Sequence, residues 1–160
     1  MRQNPIFVLT LVSALGSGLI AGVFFAFSAF VMKALARLPP AQGIAAMQSI
    51  NIVVINPWFF SAFFGTAILC LAAIVAAAAR WNDPRALYWL AGGIIYLVGV
   101  IGITMRFNVP LNNALAALAS TSPEAAKLWA RYLITWTNWN HVRTIGGLLA
   151  ALLFTLALRR

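Results

Sequence analysis

The nine residues from Trp136 to Thr144, WTNWNHVRT, hold the chain's only histidine beside two asparagines and an arginine. Histidine is the side-chain type that exchanges a proton near neutral pH without any perturbation. Arginine offers fixed hydrogen-bond donors, and an asparagine amide both donates and accepts. On a helical wheel at about 100° per residue, Arg143, Asn140, Thr144, Thr137 and His141 fall within one arc of about 160°, flanked by Trp136 and Trp139. Such a face could move a proton or hold a polar ligand.

Two more clusters carry the same residue types. Gln48, Asn51 and Asn56 occur in MQSINIVVINPWF, where Gln48 and Asn51 are three apart and share a helix face. Arg106, Asn108, Asn112 and Asn113 occur in MRFNVPLNNALA. Amides and an imidazole are costly to bury without partners. The expectation is that Gln48, Asn51, Asn108, Asn112, Asn140, His141 and Arg143 line one cavity near one membrane face. Plainer roles compete: Asn56 as a helix cap, Asn108 as the start of a turn before Pro110, Asn112 and Asn113 facing water, and tryptophans forming an interfacial belt.

The elements that must position these clusters are membrane helices. Hydrophobic residues make up 63% of the 160 residues and charged residues only 8%, against about 25% charged in a soluble domain. A chain so poor in polar groups must face lipid. Four segments can cross a bilayer core of about 30 Å: spans of about 6–32, 58–79, 87–105 and 139–158. The fold expected is an all-α, four-transmembrane-helix bundle, one domain over residues 1–160, with short extra helices in the two longer connections. The first span is 27 residues, longer than the about 7–15 of a signal-peptide core, and so reads as a membrane helix. The last has only the 14 apolar residues Ile145–Leu158, or about 21 Å. It must recruit Trp139–Thr144 from upstream, which draws the polar motif below the headgroups.

Local signals mark the helix starts. Asn56-Pro57 and Ser122-Pro123-Glu124 each combine an N-cap with a proline at the first helical position. Small residues at Ser13, Ser17 and Ala21, at Gly18 and Gly22, and at Gly92, Gly99 and Gly102 suit close helix packing. If the helices alternate, both long connections lie on one side. Basic residues then crowd the other side (Arg2, Arg80, Arg85, Arg159 and Arg160), which puts both termini in the cytoplasm, the membrane being the cytoplasmic one in a bacterium.

Several function classes drop out. The net charge is +9, but the basic residues come singly or in pairs, so nucleic acid is not an expected partner. Asp83 and Glu124 are the only acids. No carboxylate lies inside an apolar segment, as a proton pump or cation channel needs. One cysteine, Cys70, allows no intrachain disulfide, and one His with one Cys cannot build a zinc site.

The blocks FSAFVMKALARLPPAQGIAAMQSINIVVINPWF, FNVPLNNALA and WTNWNHVRTIGGLLAAL resemble those of the anthrone-oxygenase-like family of small integral membrane proteins, first catalogued as a domain of unknown function. The resemblance runs from about Ser13 to Leu153. It implies four membrane helices and a monooxygenase, an oxidoreductase that converts an anthrone- or phenol-like substrate to a quinone with O2, without metal or other cofactor. The acidic anthrone methylene would lose a proton to His141 as general base, leaving an anion that reduces O2 itself. Arg143 or Arg106, with Asn140, Asn51 or Asn108, would stabilise the phenolate or peroxide oxygen. Trp136, Trp139 and Phe59 would sandwich the ring, while Gln48 and Asn112 complete the binding wall. A lipophilic aromatic ligand would arrive from the lipid. The residues alone also allow a carrier for a quinone, haem or other flat lipid, or a structural accessory membrane protein. They leave the oligomeric state open, a homo-oligomer included.

Overall fold

The structure, a computed structural model, describes residues 5–159. Five helices carry it: α1 Pro5–Ala36, α2 Pro40–Val53, α3 Pro57–Ala79, α4 Ala86–Ala116 and α5 Pro123–Ala157. All but α2 are long and apolar enough to cross a membrane, which makes this an all-helical, multi-pass membrane protein. Around the bundle, α1 packs on α5 and α3, and α4 packs on α3 and α5. The helices thus form a closed ring in which α3 lies diagonally across from α5.

Arg2 and Arg160, which entered the reading of orientation, lie outside the described residues. Both expected caps form: Asn56 Oδ1 accepts from the Phe59 N–H at 3.0 Å, and Ser122 Oγ from that of Ala125 at 3.1 Å. The helices run further than the apolar segments suggest. The first longer connection does hold a separate helix, α2. The second does not, because its two halves extend α4 and α5. Pro110 lacks an N–H and would clash with the carbonyl four residues back in a regular helix. A wider π turn at Thr104–Asn108 precedes it, and α4 continues to Ala116. Two further π turns lie at Phe27–Val31 in α1 and Leu97–Gly102 in α4.

Two apolar cores stack along the bundle. The larger runs from Phe24 and Phe63 down to Ile6, Ala77, Ala86 and Ala157. The smaller lies under α2, where Ile44, Met47, Leu115, Trp129, Tyr132 and Trp136 meet. Ser13, Ser17 and Ala21 are fully buried. A Cβ on Gly147 would come within 2.9 Å of Ala21, and one on Gly146 within 3.2 Å of Gly99 backbone. Gly18 and Gly22 are not close-approach points, because a Cβ on Gly22 meets nothing within 4 Å. At the far end, Asp83 accepts from the Arg85 N–H and side chain at 2.7–2.9 Å and closes the short link. The Arg85 guanidinium holds the Asp83 carboxyl down at about 2.

Gly146→Ala is expected to force α4 and α5 apart and destabilise the bundle by about 1–3 kcal/mol, whereas Gly22→Ala leaves the thermal midpoint in detergent unchanged. Asp83→Asn is expected to lower that midpoint slightly at neutral pH. Because the Asp83 pKa is depressed on folding, its contribution is present above the usual carboxylate range and fades as pH falls towards 2. Wild type and variant should therefore converge there.

Candidate functional site

Where the two cores meet, the chain lines a cavity of about 650 Å³. Aromatic rings form a large part of its wall: Phe24 and Phe27 from α1, Phe59, Phe60, Phe63 and Phe64 from the start of α3, and Trp136 from α5. Phe59 stacks on Phe63 at 5.5 Å, and Phe63 meets Phe24 edge-on. The run WFFSAFF just after the Asn56 cap puts four of these rings on successive turns of one helix.

One cation opens onto this surface. Arg143 is only 4% exposed and lines the cavity. Its guanidinium carbon lies 4.2 Å from the centre of the Phe24 ring and 4.9 Å from that of Trp136. Nη2 donates to Asn140 Oδ1 at 2.6 Å and Nη1 to Thr104 Oγ1 at 3.3 Å, while Nε has no partner among the described residues. No carboxylate touches it: among the described residues the one ion pair is Arg85–Asp83. Glu124 lies 19 residues back along the same helix, about 28 Å away.

Asn140 holds this arginine in place and does not itself line the cavity. It is fully buried, and Nδ2 donates to the Phe24 carbonyl and Ser28 Oγ, both at 2.6 Å. Both amide protons are thus committed to α1 beside its π turn, which leaves Oδ1 to face Arg143. Thr104 stands at the start of a π turn of α4. One widened turn thus meets this guanidinium directly through Thr104, and a second reaches it through Ser28 and Asn140; such turns recur at functional sites.

The amides of the opposite wall are partly committed. Asn112 Oδ1 accepts from Tyr132 Oη at 2.7 Å and Trp136 Nε1 at 2.8 Å, so its Nδ2 is the free donor. Gln48 Nε2 donates to the Leu115 and Leu118 carbonyls, tying α2 to the C-terminal end of α4. Gln48, Asn51 and Asn112 line the cavity together with Arg143, Trp136 and Phe59. Asn108 is buried behind the wall, where Nδ2 donates to the Trp136 carbonyl. It braces α4 against α5 and opens no turn.

Three residues expected in the site lie elsewhere. His141 is exposed, forms no hydrogen bond among the described residues and does not line the cavity. The inward face of α5 from Arg143 to Thr144 covers about 100° of the wheel, and His141 falls about 60° beyond it. The arc of 160° was too wide for one cavity. Trp139 stacks on Phe107 at 3.7 Å, outside the cavity, and the exposed Arg106 lies over the same Phe107 ring. Phe24, Phe27, Phe63 and Thr104 were not singled out from the sequence. Only the aromatic density after Asn56 pointed towards any of them. No three His, Cys, Asp or Glu side chains come together as a metal site among the described residues.

The fold and cavity define a small four-span membrane protein with an aromatic-rich chamber and, among the described residues, a single buried cation. A family model described as anthrone oxygenase matches residues 58–153, and the chain belongs to that family. No curated protein and no solved structure matches it. The matched segment carries Arg143, Asn140, Thr104, Asn112 and Trp136.

Asn140→Ala is expected to destabilise the protein by about 1–3 kcal/mol, the cost of stranding a buried carbonyl and a charged donor. It should also free the Arg143 side chain. Thermal unfolding in detergent reads the first effect. An unchanged midpoint would mean that Asn140 does not hold the two helices together.

Proposed function

We propose that this chain is an oxygenase that converts a lipophilic anthrone- or phenol-like substrate to the quinone with O2, with Arg143 as the group that makes the substrate acidic. The supporting observation is the buried guanidinium without a carboxylate partner, opening onto an aromatic chamber. A flat ring would lie against Phe24, Phe59, Phe63 and Trp136, with its phenolic or carbonyl oxygen at Arg143. As the methylene proton leaves, negative charge gathers on that oxygen. A fixed cation in apolar surroundings stabilises this charge far more than water does.

The chemistry balances without another reductant. The proton goes to water, and the carbanion passes one electron to O2. The resulting radical pair joins to form a C–O bond. Protonation gives a carbon hydroperoxide, whose O–O bond breaks as the remaining C–H proton is lost. The products are the ketone and one water. The Asn112 amide donor on the opposite wall would orient the second ring oxygen. Proton abstraction is not assigned to His141, because its side chain faces away from the chamber.

Oxygen uptake with a hydroxylated anthrone in nanodiscs, after subtracting spontaneous oxidation, tests this. Wild type should exceed background. Arg143→Gln should lose about 10²–10³ of the rate, the usual effect of removing one oxyanion donor, with Arg143→Lys in between. His141→Ala should stay close to wild type. Equal loss in His141→Ala and Arg143→Gln would move the proton-transfer role back to the histidine. Binding of the anthrone without oxygen uptake in wild type would make the protein a carrier.

A further inference from the structure

The chamber is open on one flank. α3 packs on α1 and on the first half of α4, but it builds no substantial interface with residues 104–116 of α4. Side chains on both edges of the gap are apolar and exposed: Phe64 at 42% on α3, Met105 at 58% on α4 and Ile55 at 66% in the link above. All three also line the chamber, so the gap is its mouth.

Its depth follows from the start of α3. Trp58 is 88% exposed one residue after the proline that begins the helix, and tryptophan marks the membrane–water boundary. Phe64 lies about 9 Å further along the helix, on the hydrocarbon side. The end under α2 is closed by contrast: Ile44 and Met47 are buried there, and Gln48 bonds across to Leu115 and Leu118. The sealed end thus lies towards the membrane surface, and the open flank faces lipid.

We propose that the ligand is a planar anthrone- or phenol-like aromatic dissolved in the bilayer, that it reaches Arg143 sideways between Phe64 and Met105, and that these two side chains set the widest ligand admitted. The ligand's phenolic or carbonyl oxygen rests on the function proposed above; the lateral mouth does not.

The test uses the full chain in nanodiscs with two photoreactive probes, an aryl diazirine that partitions into hydrocarbon and a sulfonated aryl diazirine that stays in water. Labelled residues are mapped by mass spectrometry. The hydrocarbon-soluble probe should label the interior residues Phe63 and Trp136. In the Phe64→Trp, Met105→Trp double variant that interior labelling should be lost, while the lipid-facing Leu148 and Leu152 keep theirs, which also reports an intact fold. Met105→Ala alone should increase it. Interior labelling that survives the double variant, that comes only from the water-soluble probe, or that is absent in wild type would overturn the lateral route. Arg143→Gln should label inside as wild type does. Loss of oxygen uptake and loss of the mouth are therefore read separately.

Discussion

The structure depends on a guanidinium held in an apolar bundle without an acid to balance it. A lone charge at this depth costs several kcal/mol unless nearby groups take over from water. Here the compensation is partial and comes from dipoles and ring faces. Phe24 and Trp136 present π clouds to Arg143, and Asn140 and Thr104 present oxygens. Each compensating group is neutral. The positive charge therefore remains available to an anion that enters the chamber, which it would not be beside a carboxylate.

Two devices make that arrangement stable. The first is the pair of π turns. At Phe27–Val31 the regular ladder of α1 is interrupted, and the Phe24 carbonyl accepts from Asn140. At Thr104–Asn108 the widened turn begins with the hydroxyl that receives Arg143. The second is the unbroken length of α5. Its 35 residues pass through both cores. Trp136, Asn140 and Arg143 sit at i, i+4 and i+7 on its inner face, so their spacing is set by helix geometry alone. A loop in the middle of that segment would leave the guanidinium to find its own position.

Features governed by local chain chemistry were legible in the sequence. The four spans follow from composition, and the Asn56 and Ser122 caps from residue type and the prolines after them. Helix lengths were underestimated because Pro110 reads as a break and because the apolar run of the last span is short. Pro110 is absorbed by a π turn, and the helix that Ser122 and Pro123 open runs on without interruption into the last span. Gly18 and Gly22 match a packing motif, yet nothing approaches Gly22, because a motif does not say which face a neighbour occupies. The chamber's lining was half legible. Arg143, Gln48, Asn51 and Asn112 stand out because polar residues in an apolar chain are conspicuous, and Trp136 because it flanks them. Phe24, Phe63 and Thr104 were not, since a phenylalanine in a membrane helix looks the same whether it lines a chamber or meets lipid. His141 was misplaced because a wheel gives angles and not the width of the face that neighbouring helices cover.

An apolar chamber with one cation also bears on how O2 could be handled. Oxygen is itself apolar and dissolves in hydrocarbon, so a site open to the bilayer draws both a lipophilic substrate and its oxidant from the same phase. The electron-rich anion would form only where a cation waits for it. Under the proposed function, catalysis then needs little from the protein beyond position and charge. Arg143 would lower the energy of the anion, the rings would hold it flat, and the electron transfer would follow from the substrate's own electronics. That division explains how a chain with one histidine and two carboxylates, none of them lining the chamber, could still carry out an oxidation.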